Sequence, residues 1–150
     1  MLAMSGTLLV CVSLAAIPEK PYNDAARSSE ATGKPLVVLL GADWCPGCVT
    51  MKNRVLPEVA KDGSLDQVEF AYVDIDKQPE LARNLSQANS IPQLIRFERK
   101  SEEQWERQQL TGAQSVERVR SFLRGPAPSR PVAAAQPNLW RTVSQWLAGP

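Results

Sequence analysis

No histidine occurs anywhere in the 150 residues. That absence removes imidazole acid–base catalysis, Ser-His and Cys-His nucleophile pairs, and histidine-ligated metal sites in one step. Charge of one sign is missing as well. Lys plus Arg number 17 against 16 Asp plus Glu, a net +1 with no basic block, so nothing marks a nucleic-acid-binding surface or attraction to an acidic membrane. The apolar run at residues 8–16 is too short to span a bilayer. Cysteine is scarce, with three in the chain.

What is present is ordinary for a globular chain: 43% hydrophobic and 22% charged residues, at a length that supports one main domain with its own core and no need of disulfide staples. The cysteines are unevenly placed. Cys11 lies in the apolar leader, where it reads as a buried apolar residue, while Cys45 and Cys48 form a tight C-x-x-C.

Composition and periodicity divide the chain into four stretches. Residues 1–16 read as a signal peptide or membrane-targeting leader, with Ser13-Leu14-Ala15 offering small residues for cleavage; the competing reading is a first strand over 7–14. Residues 20–125 carry the domain. Within it, a short helix ends at Gly33 and Pro35, and the continuous apolar run 36–40 reads as a strand covered on both faces. Cys48, Met51, Val55 and Val59 then stripe one helix face, which Pro57 is expected to kink or divide. A second buried strand over 68–75, a short helix over 79–85, a strand over 93–97, a charged hairpin with Glu102, Glu103 and Glu106, and a last helix with Val116, Val119, Phe122 and Leu123 on one face complete it. Residues 126–137 form a Pro/Ala-rich linker. Residues 138–148 place Leu139, Trp140, Val143, Trp146 and Leu147 at helical spacing, a tail that either docks on its own domain or contacts a partner or membrane surface.

The chemistry concentrates at Trp44-Cys45-Pro46-Gly47-Cys48. A strand ending at Trp44 and a helix starting at Cys45 set the first thiol at a helix N-terminus, where unpaired amides and the macrodipole favour its thiolate. Two intervening residues let Cys48 reach the mixed disulfide that Cys45 forms with a substrate and resolve it. Pro46 suits the first helical turn, and Gly47 keeps the approach open to another polypeptide. Zinc binding would require four ligands, and neither a second cysteine pair nor a histidine is present. A static disulfide and a metal site shared across a dimer remain as alternatives to redox chemistry.

The order of elements, the Trp44-Cys45-Pro46-Gly47-Cys48 segment, Ile91-Pro92 and the helix after Gly112 resemble the thioredoxin superfamily over roughly residues 21–123. The stretch from Gly33-Lys34-Pro35-Leu36 to Trp44-Cys45 is most similar to its secreted or envelope members. The resemblance implies an α/β thioredoxin fold with a central mixed β-sheet flanked by helices, and a cis Ile91-Pro92 bond facing the cysteines so that its backbone pairs with a substrate strand. Two departures stand out. Leu39 occupies the position where such proteins carry a buried Asp that helps deprotonate the second cysteine, leaving Asp43 as a candidate for proton handling; and the dipeptide reads Pro-Gly rather than Gly-Pro.

The expected function is thiol–disulfide exchange on protein disulfides without a bound cofactor or metal: Cys45 attacks, Cys48 resolves, and Trp44, Pro46, Gly47, Ile91 and Pro92 shape the substrate groove. A redox partner restores the pair, with reduction the preferred direction. The leader implies a periplasmic or other extracytoplasmic location, and a strand over 7–14 would imply a cytoplasmic one. The rival reading is a redox-inactive thioredoxin-like binding module that recruits partners through its Trp-bearing tail.

Overall fold

The computed structural model describes residues 17, 20–101 and 104–125; the leader, the Pro/Ala-rich linker, the tail, Cys11, Glu102 and Glu103 lie outside them. Helix α1 (Tyr22–Thr32) ends where Gly33, at φ 73°, enters the left-handed region and returns its N–H to the Ser29 carbonyl. The apolar run after it forms β1 (Leu36–Gly41), buried along its whole length. It pairs in parallel with β2 (Glu69–Asp74) on one side and antiparallel with β3 (Gln93–Arg99) on the other, and β4 (Trp105–Thr111) closes the far edge antiparallel to β3. The order is β2-β1-β3-β4. Lys20 adds a parallel bridge to Ala71 on the β2 edge.

Successive residues of β1 serve opposite faces, as the pleat demands. Val37 and Leu39 join Met51, Leu56, Val59, Phe70, Leu94, Val119 and Leu123 in one core, beneath the helix that follows the cysteines and α5 (Val116–Arg124). Val38 and Leu40 join Ala25, Ala71, Val73, Ala82, Leu85 and Ile95 in the other, beneath α1 and α4 (Pro79–Leu85). The mixed sheet between two helical layers is the architecture that the sequence implied.

The expected break at Pro57 takes a different form. Backbone angles stay helical from α2 (Pro46–Thr50) through a π-turn (Met51–Val55) into α3 (Leu56–Ala60), with the Leu56 N–H reaching back five residues to the Met51 carbonyl. Proline cannot donate to the carbonyl four residues earlier and its ring crowds that carbonyl, so the helix widens by one residue ahead of Pro57 and remains continuous. The apolar stripe survives: Cys48, Met51, Val55 and Val59 are all buried.

Candidate active site

Strand β1 delivers the chain through Ala42, Asp43 and Trp44 to Cys45, which is the N-cap of α2. Its extended backbone (φ −88°, ψ 112°) turns the sulfur toward the helix start, where it accepts the Cys48 N–H at 3.3 Å. Pro46 takes the first turn, where a missing N–H costs nothing. Cys45 and Cys48 are joined as a disulfide. The two residues differ in exposure: Cys45 retains 7% of its surface and Cys48 1%. Cys45 is therefore less open than the sequence suggested, because the loop before β3 folds over it. The Ile91–Pro92 bond in that loop is cis, and the Ile91 carbonyl lies 3.8 Å from the Cys45 sulfur.

Gly47 lies against two other loops. A side-chain carbon there would come within 3.2 Å of Pro92 and 3.6 Å of Ala113. The protein's own cis-proline loop and the loop after β4 press on it, so its small size also serves internal packing. The Pro92 carbonyl in turn accepts the Gly112 N–H at 2.8 Å, tying those two loops together.

Trp44 is 66% exposed, yet its ring is oriented: the indole N–H donates to Asp76 Oδ2 at 2.7 Å. Asp43, exposed beside it, pairs with Lys77 Nζ at 3.0 Å. The same ammonium lies 2.9 Å from Asp74 Oδ2, whose side chain is nearly buried at the end of β2. Lys77 holds the Asp74 carboxyl below its usual range, aided by the Asp76 N–H, and the two carboxylates raise the ammonium of Lys77 in return. Asp74, Asp76 and Lys77 were not singled out from sequence; the polar Asp-Ile-Asp-Lys run directly after a buried strand is the signal that marks them.

Two clefts flank the pair. One of about 580 Å³ lies beside Trp44 and Ile91, with Leu40, Ile75 and Ala82 among its mostly apolar lining and Arg83 at its rim. The other, about 210 Å³, opens on Cys48 and is lined by Ala42, Asp43, Val49, Lys52, Asn53 and Tyr72. Leu39, in the position of the absent acid, is fully buried among apolar side chains. Among the described residues no cluster of three or more His, Cys, Asp or Glu could hold a metal ion, and no helix is long and apolar enough to cross a membrane.

Comparison with known proteins follows the same lines. The model of a family described as thioredoxin-like matches residues 17–99. A search of curated proteins finds no match. Among solved structures, a thioredoxin from Thermus thermophilus is 24% identical with a TM-score of 0.62, over 73% of this chain and 85% of its own. A DsbH oxidoreductase is 17% identical at 0.58, over 83% and 96%. Mitochondrial thioredoxin 3 of Saccharomyces cerevisiae, in its oxidised form, is 19% identical at 0.54, over 75% and 97%. At these identities the likeness is one of fold.

Proposed function

The chain belongs to the thioredoxin-like family, and from that premise we propose that it is a thiol–disulfide oxidoreductase acting on protein disulfides through a reversible Cys45–Cys48 couple. The observation that carries this reading is the joined pair at a helix start, with its more accessible member under the cis Ile91–Pro92 loop. In the reducing direction, the Cys45 thiolate attacks one sulfur of a substrate disulfide and expels the other as a thiolate. Cys48 then attacks the Cys45 sulfur and expels the second substrate thiol, leaving the internal disulfide. The amide of Cys48, already aimed at the Cys45 sulfur, favours negative charge there. A dithiol partner must reduce the pair before another cycle.

Trp44 and Ile91 border the larger cleft, which suits an apolar residue flanking the substrate's cysteine. Pro46, Gly47 and Pro92 are assigned to the same substrate groove on their place around the cysteine pair. Reduction is the preferred direction, and an extracytoplasmic location follows from reading residues 8–16 as a secretory leader. The DsbH neighbour, named an oxidoreductase, agrees with the activity class.

Insulin-type disulfide reduction tests the proposal. Wild type is expected to accelerate it, Cys45→Ser to fall to the background set by the reductant, and Cys48→Ser to accumulate a mixed disulfide with substrate visible on a non-reducing gel. Equal, negligible activity in wild type and Cys45→Ser would leave the binding-module reading in its place. The reduction potential of the couple, set against glutathione, fixes the direction of electron flow.

A further inference from the structure

The resolving step needs Cys48 as a thiolate, and its surroundings oppose one. The residue is 1% exposed and belongs to a buried cluster with Ala42 and Cys45, against which Ile75 and Ile91 pack. Burial among apolar groups disfavours the charged form of a thiol. The buried acid that the superfamily places beneath this cysteine is replaced by Leu39, which lies within the apolar core.

The cleft on the solvent side of Cys48 supplies what is missing. Among the described residues, Lys52 is the only cation that lines it, one helical turn beyond Cys48 in sequence. Its ammonium sits 4.0 Å over the ring centroid of Tyr72. The ring and the sulfur both crowd the same face of Gly41: a side-chain carbon placed there would lie 3.0 Å from Cys48 Sγ and 3.4 Å from Tyr72 Cε2. A cation held on one face of that ring is thereby held at the cleft that opens on Cys48, with Asp43, Asn53 and Tyr72 as the other polar groups of its lining.

We propose that Lys52, positioned by Tyr72, is the charge that stabilises the Cys48 thiolate for the resolving step. The inference rests on the exchange reaction proposed above and names the residue that tunes its second half. The Cys48 S–H bond breaks and its proton passes to water in the cleft, which at about 210 Å³ has room for several. The thiolate, held by the Lys52 field, forms the bond to Cys45 Sγ while the Cys45–substrate bond breaks and the substrate leaves as a thiolate. Lys52 keeps its own proton throughout. Among the described residues, the titratable groups around Cys48 are Cys45, Lys52, Asp43, Tyr72 and Asp74, and both carboxylates pair with Lys77.

The test isolates Cys48. In a Cys45→Ser background, alkylation of Cys48 by iodoacetamide is followed from pH 6 to 10, read by mass spectrometry on the peptide that carries residue 48. Adding Lys52→Met is expected to slow the reaction near pH 7 by about 3- to 10-fold and to move the profile to higher pH, consistent with loss of a nearby opposite charge. Lys52→Arg should restore it. Lys52→Gln serves as a second neutral variant should Met disturb the fold, which thermal melts monitor. Superimposable profiles with and without the charge, or an arginine that behaves like methionine, would overturn the proposal. Because alkylation requires no protein substrate, failure here is distinct from failure of the exchange reaction, which the insulin assay reads on the wild type.

Discussion

Gly41 ends β1 against Asp74 of β2, and the side of it that would carry a methyl group is already occupied by Cys48 and Tyr72. At 3.0 Å from both the Cβ and the sulfur of Cys48, an added carbon cannot be accommodated by a flexible chain end, because the helix that carries Cys48 is pinned by Met51 and Leu56 in the core. Gly41→Ala is therefore expected to lower stability by about 1–3 kcal/mol, the usual cost of overpacking. It should do so in both redox states, since the clash is with the Cβ as much as with the sulfur. Urea unfolding of the oxidised and reduced protein checks this; a loss confined to one state would place the strain in the disulfide itself. At this scale the sequence was legible where chemistry is local. The cis bond at Ile91–Pro92 was implied only by the family resemblance, whereas the C-x-x-C and the proline after it carry their meaning in their own few residues. Gly41, Gly47 and Lys52 do not, because their significance lies in what approaches them: Tyr72 is 31 positions from Gly41, and Pro92 is 45 from Gly47.

Two cross-links join the segment before the cysteines to the turn between β2 and α4, one from Asp43 to Lys77 and one from Trp44 to Asp76. The first is a solvent-exposed pair and contributes little by itself. Asp74 anchors the arrangement from inside, receiving the Lys77 ammonium and the Asp76 N–H on a carboxylate that is almost fully covered. Because its carboxyl sits below its ordinary value in the folded protein, its contribution is present above the unfolded-state value near about 4 and is lost as pH falls through the lowered folded one. Lys77, raised by the same pairing, loses its part only when pH climbs past the usual lysine range, so the clasp is intact at neutrality. Asp74→Asn should cost about 1–3 kcal/mol at pH 7, as for loss of hydrogen bonds to a buried charge. The gap from wild type should narrow below about pH 4, as the wild-type carboxyl protonates too. Urea midpoints from pH 3 to 7 would show it, and a gap independent of pH would mean that ionisation of Asp74 is immaterial. The helix after Cys48 shows the complementary limit of local reading. Pro57 announced a disturbance in the right region, but a proline rule specifies only which hydrogen bond is lost, and the surrounding core chose a widened turn over a kink.

For the molecule as a whole, the decisive sequence feature was the unbroken apolar run of β1, since a strand with one wet face would alternate. From it the two helical layers followed, whereas the strand order β2-β1-β3-β4 comes from the structure. Less legible was how the layers divide the work, because each of α1, α3, α4 and α5 has apolar residues to bury and only the fold assigns them to sides. The division makes a sharp expectation. Leu39 faces the layer of α3 and α5 and Leu40 the layer of α1 and α4, and both are essentially without solvent contact. Each truncation to alanine should then cost about 2–5 kcal/mol, the range for large-to-small changes in packed cores. Were either face loosely covered, its leucine would cost far less, because a site open to water or able to collapse leaves no cavity. Urea unfolding of Leu39→Ala and Leu40→Ala, each with the wild-type dependence on denaturant, measures this directly; a near-neutral effect at one position alone would show that its helical layer does not seal the sheet. Leu39→Ala carries a second reading, since it opens space on the side of β1 that faces the helix bearing Cys48. With no ionisable group introduced and Lys52 unchanged, the pH profile of Cys48 alkylation in the Cys45→Ser background should stay where it was even as stability falls, separating the packing role of this position from the charge that governs the sulfur.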